Sequence, residues 1–159
     1  MKRKFLARLK IVTLGILLCL CLSGCAKTPE FPIAPFEYRL GWSFGGTDLC
    51  ATVVAIDEGV ELSFNSPSCL SGLRLSTVGG EVVYRYGDMT FDGIPEAYLS
   101  VLQIFATSGE FDYLCRTDIE GREALCYSRG DARWYFDADT LSPVLVEWSD
   151  LSIKILKVK

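Results

Sequence analysis

The sequence predicts a mainly β domain with one helix, in which a curved antiparallel sheet of about 8–10 strands wraps around the helix as a half-barrel. Most of the chain from residue 36 onward alternates apolar and polar residues with a period of two, which is typical of strands with one buried face. One segment near residues 95–108 instead repeats its apolar residues at helical spacing. A long antiparallel sheet must curl to bury one face, and a helix inserted midway can fill the hollow.

The first predicted strand shows the alternation most clearly. Every second residue from 36 to 44 is apolar, which places five large side chains on one face: Phe36, Tyr38, Leu40, Trp42 and Phe44. Two-residue loops favour hairpins, and five such signals divide the chain: Gly45-Gly46, Glu58-Gly59, Gly79-Gly80, Glu120-Gly121 and Ser149-Asp150. The sequence therefore predicts a series of hairpins.

Each two-residue loop also fixes which residues lie opposite each other, and opposite residues must share a face. The pairs predicted in this way are Trp42 with Leu49, Ala55 with Leu62, Val53 with Phe64, Leu75 with Tyr84, Trp148 with Leu151, and Val146 with Ile153. The apolar faces agree in each pair. This agreement supports consecutive antiparallel pairing.

The single helix is predicted from four residues at helical spacing: Tyr98, Val101, Leu102 and Phe105. Pro95 suits the first turn, and Gly109 suits the position just past the end. Before the helix, Gly87 shifts the phase of the alternation, as a bulge or a tight bend would. The predicted order is five strands, the helix and about five more strands.

The N-terminus has the layout of a secretory signal. Five basic residues precede an apolar run of 12 residues from Ile11 to Leu22, which as a helix would rise about 18 Å, too short to span a bilayer. The next residues, Leu22-Ser23-Gly24-Cys25, resemble the bacterial lipobox, in which the cysteine is diacylated and becomes the new N-terminus. The alternative is an ordinary signal peptide that ends in a chance cysteine.

This layout predicts three parts of the chain. Residues 1–24 are the lipoprotein signal, residues 25–35 are the lipidated Cys25 and a proline-rich tether, and residues 36–159 are one β-rich domain. The predicted location is the extracytoplasmic face of the cell membrane, with the membrane as the partner of the acyl chains, palmitate among them.

The charge limits the other partners. All 20 acidic residues follow Cys25, whereas 5 of the 16 basic residues lie in the predicted signal, so the charge after its removal is 11 minus 20, or −9. A strongly acidic chain is a poor partner for nucleic acid or for an anionic lipid surface. A protein partner is not identified by the sequence.

Export makes disulfides possible for the four remaining cysteines. A hairpin with Glu120-Gly121 as its loop places Cys115 opposite Cys126, which predicts a cross-strand disulfide. Closing on Glu58-Gly59 places Cys50 opposite Pro67, so a bond to Cys69 requires a bend after the proline. Cross-pairing between the hairpins and free buried thiols are the alternatives. A zinc site is disfavoured because the spacings are long and the chain has no histidine.

The chain resembles the lipoprotein-carrier (LolA-like) superfamily in its strand–helix–strand order and in the stretch WYFDADTLSPVLVEWSDLSIKI, where Asp137 to Pro143 is similar to that family's turn between late strands. It also looks similar to small uncharacterised lipoproteins of Gram-positive bacteria. The resemblance implies a half-barrel that holds acyl chains under a helical lid. This chain is shorter, has a single evident helix and carries no functional motif of the family.

Catalysis is not expected. The absence of histidine excludes Ser-His-Asp and Cys-His mechanisms, and no glycine-rich phosphate loop occurs. Two carboxylate pairs could be nominated, Asp88 with Asp92 and Asp137 with Asp139, but each occurs at a turn or strand end where Asp caps backbone. Calcium at Asp137 and Asp139 is disfavoured because the loop lacks the further ligands and the glycine of an EF-hand, so a turn is the preferred interpretation. We therefore predict no enzyme activity, no metal and no cofactor.

Four aromatic residues are the candidates for a ligand pocket: Tyr84, Tyr86, Trp134 and Phe136. The alternative is that they fill the core around the helix. Two functions follow from these alternatives. The chain is either a tethered module that binds a hydrophobic ligand or lipid in the half-barrel, or a non-catalytic structural or protein-interaction domain at the cell envelope.

Overall fold

The structure, a computed structural model, describes residues 36–56, 59–91, 96–107 and 109–158. The predicted signal, Cys25 and the tether lie outside these residues. The strands are β1 (Glu37–Phe44), β2 (Thr47–Ile56), β3 (Gly59–Ser66), β4 (Leu73–Val78), β5 (Glu81–Tyr86), β6 (Met89–Phe91), β7 (Asp112–Ile119), β8 (Arg122–Arg129), β9 (Ala132–Asp137), β10 (Pro143–Trp148) and β11 (Leu151–Val158). The α-helix, α1, spans Glu96–Ala106, and a 3-10 helix spans Ser68–Leu70.

All strands belong to one antiparallel sheet in the order β6-β5-β4-β3-β2-β1-β11-β10-β9-β8-β7. The pairing of β1 with β11 joins the two halves of the chain, with Leu40 opposite Ile155. Strands β6 and β7 are the two edges, so the sheet is open. The predicted fold class, a mainly β curved sheet with one helix, is confirmed. The residues that the structure describes form 11 strands in place of the expected 8–10.

Four of the five predicted hairpin registers are confirmed. Trp42 lies opposite Leu49, and Leu75 lies opposite Tyr84. The last hairpin pairs Trp148 with Leu151 and Val146 with Ile153, and the hairpin of β7 and β8 pairs Cys115 with Cys126. Local turn chemistry therefore sets these registers, as the sequence indicated.

The register of β2 with β3 was predicted wrongly. Val53 lies opposite Leu62 instead of Phe64, and Ala55 lies opposite Val60. Gly59 was predicted to lie in the loop, but it belongs to β3 and pairs with Ile56. A shift of two residues keeps every side chain on the same face, so the apolar pattern fits both registers.

Gly59 has a close contact that explains its place inside β3. A Cβ atom there would lie 2.2 Å from the Thr77 carbonyl oxygen and 2.4 Å from its Oγ1. The same Oγ1 accepts a hydrogen bond of 3.0 Å from the Val60 N–H. Only glycine lets β3 approach Thr77 this closely.

The helix lies within the predicted segment and packs its apolar side on the concave face of the sheet, where it contacts β3 and β4. Its buried apolar residues are Val101, Leu102, Ile104 and Phe105. At Gly87 the chain makes a turn, after which Met89 pairs with Tyr86, so a sixth short strand precedes the helix. With 11 residues, α1 is too short to cross a bilayer, and no other described helix is long and apolar enough.

Candidate functional site

Two adjoining cavities open at one end of the half-barrel, between α1 and three turns of the sheet. The larger, of about 340 Å³, is lined by Ser43, Phe44, Gly45, Ser100, Trp148, Ser149, Asp150 and Leu151. The smaller, of about 230 Å³, is lined by Ser100, Gln103, Ile104, Thr107, Arg129, Gly130, Asp131, Ala132 and Trp148. Ser100 and Trp148 line both cavities, so we treat them together as the groove.

The groove combines apolar and polar groups because different elements supply them. The turn between β1 and β2 contributes Phe44, and the last hairpin contributes Trp148 and Leu151. The helix contributes Ser100 and Gln103 from one side. Phe44 is 49% exposed, although its ring lies 6.3 Å from that of Tyr98. Such a lining suits a ligand with an apolar part and a polar end.

Arg129 lies at the inner wall of the smaller cavity and is only 4% exposed. Its Nη2 donates a hydrogen bond of 3.0 Å to the carbonyl oxygen of Ile104, near the end of α1. The guanidinium also lies over two rings, 4.9 Å from the centroid of Phe111 and 4.8 Å from that of Trp134. A positive group near the C-terminus of a helix interacts favourably with its dipole, so Arg129 ties α1 to β8.

Burial and proximity set the protonation of Arg129 and Tyr38. Burial lowers the pKa of Arg129 to about 10, and the nearby Tyr38 offsets part of this effect. Burial raises the pKa of Tyr38 to about 12, against a smaller opposite effect of Arg129. At neutral pH the arginine is therefore charged and the tyrosine is neutral. The site therefore has a buried cation, Arg129, beside the groove and a neutral hydroxyl, that of Tyr38, in the core.

Replacing Arg129 by lysine is expected to destabilise the fold more than replacing it by methionine. Lysine keeps the charge but lacks the planar group that stacks on Phe111 and Trp134, and its ammonium is more strongly hydrated. We expect a loss of about 3–5 kcal/mol at neutral pH for Arg129→Lys. For Arg129→Met we expect about 1–3 kcal/mol, because the main cost is the Ile104 carbonyl that loses its donor.

Urea unfolding followed by circular dichroism measures both losses. Burial would lower the pKa of the new lysine, so the folded variant would bind fewer protons than the unfolded one. Its stability relative to Arg129→Met should then rise with pH toward the ordinary lysine pKa of about 10.4. Equal losses for the two variants at neutral pH would contradict this account.

The four predicted pocket residues lie apart from the groove lining. Trp134 and Phe136 stack with their centroids 6.4 Å apart, and both are fully buried. Phe105 of the helix meets Trp134 edge to face at 5.3 Å. Tyr84 and Tyr86 lie on β5 toward the other edge of the sheet, the first buried and the second 38% exposed. The structure therefore brings one pair together and separates it from the other.

Sequence reasoning missed Arg129 and the groove residues. Arg129 follows Leu125 and Tyr127 at inward-facing positions of β8, where a charged residue interrupts an apolar face. A charged residue at an inward-facing position of a predicted strand could therefore have been recognised from the sequence. Phe44, Ser100 and Trp148 come from three distant segments, and the groove that they form depends on the pairing of β1 with β11.

Of the nominated carboxylates, Asp88 is exposed in the turn between β5 and β6, and Asp137 makes hydrogen bonds within its own turn. Asp137 Oδ1 accepts hydrogen bonds from the Asp139 N–H at 3.1 Å, the Thr140 N–H at 2.8 Å and the Thr140 hydroxyl at 2.9 Å. These bonds lower the pKa of the Asp137 carboxyl, and they form the turn before β10. Asp92 lies outside the described residues. Among the residues that are described, no group of three metal-ligating side chains occurs.

The four cysteines of the domain are unbridged in the structure. Cys115 is exposed and Cys126 is buried, directly across the β7–β8 pair. Cys50 lies opposite Ser66 rather than Pro67, and its Sγ accepts a hydrogen bond of 3.3 Å from Arg39 Nε. Cys69 is exposed in the 3-10 helix. Both predicted disulfides stay predictions.

No protein-family model matches the chain, and no curated protein matches it. The chain is similar to the crystal structure of an uncharacterized conserved protein from Thermus thermophilus, with 13% identity, a TM-score of 0.52, and coverage of 79% of this chain and 77% of that one. At this identity the similarity concerns the fold alone.

Two further solved structures are more distant. One is a putative outer membrane lipoprotein-sorting protein domain from Vibrio parahaemolyticus, with 9% identity, a TM-score of 0.42, and coverage of 79% of this chain and 85% of that one. The other is a LolA superfamily protein from Nitrosomonas europaea, with 12% identity, a TM-score of 0.40, and coverage of 77% of this chain and 67% of that one.

Proposed function

We propose that the chain is a non-catalytic binding protein that holds an apolar or amphiphilic ligand, such as a lipid, in the groove beside α1. The observation that carries this proposal is that an open cavity, to which Phe44, Trp148 and Leu151 contribute apolar surface, adjoins the buried cation of Arg129. The larger cavity of about 340 Å³ falls in the usual size range of ligand pockets, roughly 300–1,000 Å³.

The groove can contact both ends of an amphiphile. Phe44, Trp148 and Leu151 supply apolar surface in the larger cavity, and water excluded from that surface on binding supplies the driving force. Arg129 in the smaller cavity supplies a cation that favours an acidic or carbonyl-bearing polar end. The hollow behind the groove is occupied by the side chains of α1, so the ligand lies along the helix rather than beneath it.

The proposal also includes the location. A chain acylated at Cys25, with residues 26–35 as a tether, would hold the groove near the extracytoplasmic surface of the membrane. The groove would then lie close to a source of lipid. This location is supported by the sequence, in which a basic cluster is followed by an apolar run and then by the lipobox. Lipid at Cys25 is an anchor, and the ligand of the groove is a separate molecule.

Phe44→Glu is expected to weaken the binding of a dansyl-labelled long-chain fatty acid by about tenfold or more. The change removes an aromatic contact and places a negative charge beside an acidic ligand, and a tenfold change corresponds to about 1.4 kcal/mol. Dansyl fluorescence on titration with the protein measures the affinity. Because Phe44 is half exposed, the fold should survive the substitution.

Leu156→Glu is the matched control. Leu156 is 56% exposed and lies on the opposite face of the sheet, where its Cδ1 approaches Gly41. The Leu156→Glu variant should bind the fatty acid with the same affinity as the parent chain. Equal affinity in all three proteins would contradict binding in the groove. Native mass spectrometry after gentle extraction adds a second criterion: co-purifying lipid supports the proposal, and a bare protein mass in repeated preparations favours the structural or protein-interaction function.

A further inference from the structure

We propose that Cys115 and Cys126 form a reversible thiol–disulfide exchange site, at which Cys115 reacts with an external disulfide and Cys126 then closes the intramolecular bond. The site lies on the face of the sheet opposite α1, since Leu125 and Tyr127 on either side of Cys126 face the core. It is separate from the groove, so it does not depend on the proposed ligand.

The pairing places the two cysteines within reach of each other. They are directly opposite on β7 and β8, and opposite residues of an antiparallel pair have Cβ atoms about 4.5–5.5 Å apart. A disulfide needs about 3.5–4.5 Å, so a small adjustment suffices. The register shifts between Tyr113 and Cys115, and β7 is an edge strand, with no neighbour on its other side in the described part of the chain. An irregular edge strand is well placed to make that adjustment.

The two thiols differ in access to solvent. Cys115 is exposed, whereas Cys126 is 3% exposed and lies opposite Tyr135 on its other side. The Tyr135 hydroxyl donates a hydrogen bond of 2.7 Å to Glu147 Oε2, which holds the ring in place beside Cys126. Burial raises the pKa of the Cys126 thiol, and the neighbouring Cys115 raises it further. A bulky external disulfide can therefore reach Cys115 but not Cys126.

The exchange is balanced in two steps. The Cys115 thiolate attacks a disulfide of glutathione or of a thiol–disulfide oxidoreductase, which forms a mixed disulfide and releases one thiolate that takes up the proton from Cys115. The Cys126 thiolate then attacks the Cys115 sulfur, and the second thiol of the donor leaves with the proton from Cys126. The two cysteines lose two electrons in total, and the donor disulfide gains them.

The other two cysteines lack this arrangement. Cys50 lies opposite Ser66, and Cys69 lies beyond Pro67 in the 3-10 helix.

Tryptic peptides distinguish a Cys115–Cys126 bond from any other pairing. Cleavage after Arg85, Arg116, Arg122 and Arg129 puts Cys115 in peptide 86–116 and Cys126 in peptide 123–129. Cys50 and Cys69 fall together in peptide 40–74.

The test incubates the full chain in a mixture of reduced and oxidised glutathione, blocks free thiols by alkylation, and maps the tryptic peptides without reductant. We expect peptide 86–116 linked to peptide 123–129, and we expect reductant to separate them. In Cys126→Ser, Cys115 should accumulate as a glutathione adduct. In Cys115→Ser, Cys126 should react with oxidised glutathione at least about tenfold more slowly than Cys115 does in Cys126→Ser. Unfolding in urea should remove this difference.

Three results would overturn the proposal: both thiols remaining free in the oxidising mixture, Cys115 linked to a peptide other than 123–129, or equal adduct formation at Cys126 in the folded Cys115→Ser variant. The far-ultraviolet circular dichroism of both variants should match that of the parent chain. If Cys126→Ser fails to fold, Cys126→Ala replaces it, because alanine fits the buried position without an unpaired hydroxyl.

Discussion

Cys25→Ala is expected to abolish acylation of the chain and to move it from the membrane fraction to the soluble fraction. Each buried methylene of an acyl chain contributes about 0.8 kcal/mol, and a single chain binds only marginally, so stable attachment needs the two chains that diacylation supplies. The remaining apolar run from Ile11 to Leu22 is too short to span the bilayer as a helix. Incorporation of labelled palmitate and fractionation after a high-salt wash measure the two effects.

Cys21→Ala provides the matched control. Cys21 lies in the apolar run four residues before Cys25, outside the position of the lipobox cysteine. This variant should keep both the palmitate label and the membrane retention of the parent chain. A Cys25→Ala protein that stays in the membrane with undiminished label would refute the anchor, and with it the proposed location of the groove.

The hairpins were predictable because turn chemistry and alternation act over short distances. A glycine pair such as Gly79-Gly80 fixes the strands on both sides, and the structure has the expected pairing of Leu75 with Tyr84. The β2–β3 hairpin shows the limit of that reasoning. Gly59 belongs to β3 instead of the loop, and the resulting shift of two residues in register moves no side chain to the other face.

The pairing of β1 with β11 and the groove could not be predicted from the sequence in the same way. Strand β1 pairs with β11 across most of the chain, and no local signal specifies a partner at that separation. The groove exists only because this pairing brings the turn after Phe44 next to the turn after Trp148. Arg129 was detectable in principle, since its charge interrupts the apolar face of β8, but its contact with Ile104 depends on where the helix lies.

Trp134→Ala is expected to lower the free energy of unfolding by about 3–5 kcal/mol, the usual cost of removing a large aromatic side chain from a core. Trp134 is fully buried, and its ring centroid lies 5.3 Å from that of Phe105 on the helix and 5.8 Å from that of Phe111, which directly precedes β7. Its removal also takes away one of the two rings on which the Arg129 guanidinium stacks. Urea unfolding followed by circular dichroism measures the loss, and Trp134→Phe should lose less because it leaves a smaller cavity.

The same variant separates the two interpretations of the buried aromatic residues. If Trp134 fills the core, Trp134→Ala should be strongly destabilised, yet at low temperature its folded fraction should bind the dansyl fatty acid in the groove, because Trp134 does not line the groove. If Trp134 instead forms the wall of an internal pocket, stability should change by less than about 1 kcal/mol and the affinity should change strongly. The second outcome would indicate that the ligand binds in the hollow beneath α1 and not in the groove. The helix would then have to move away from the sheet to admit the ligand.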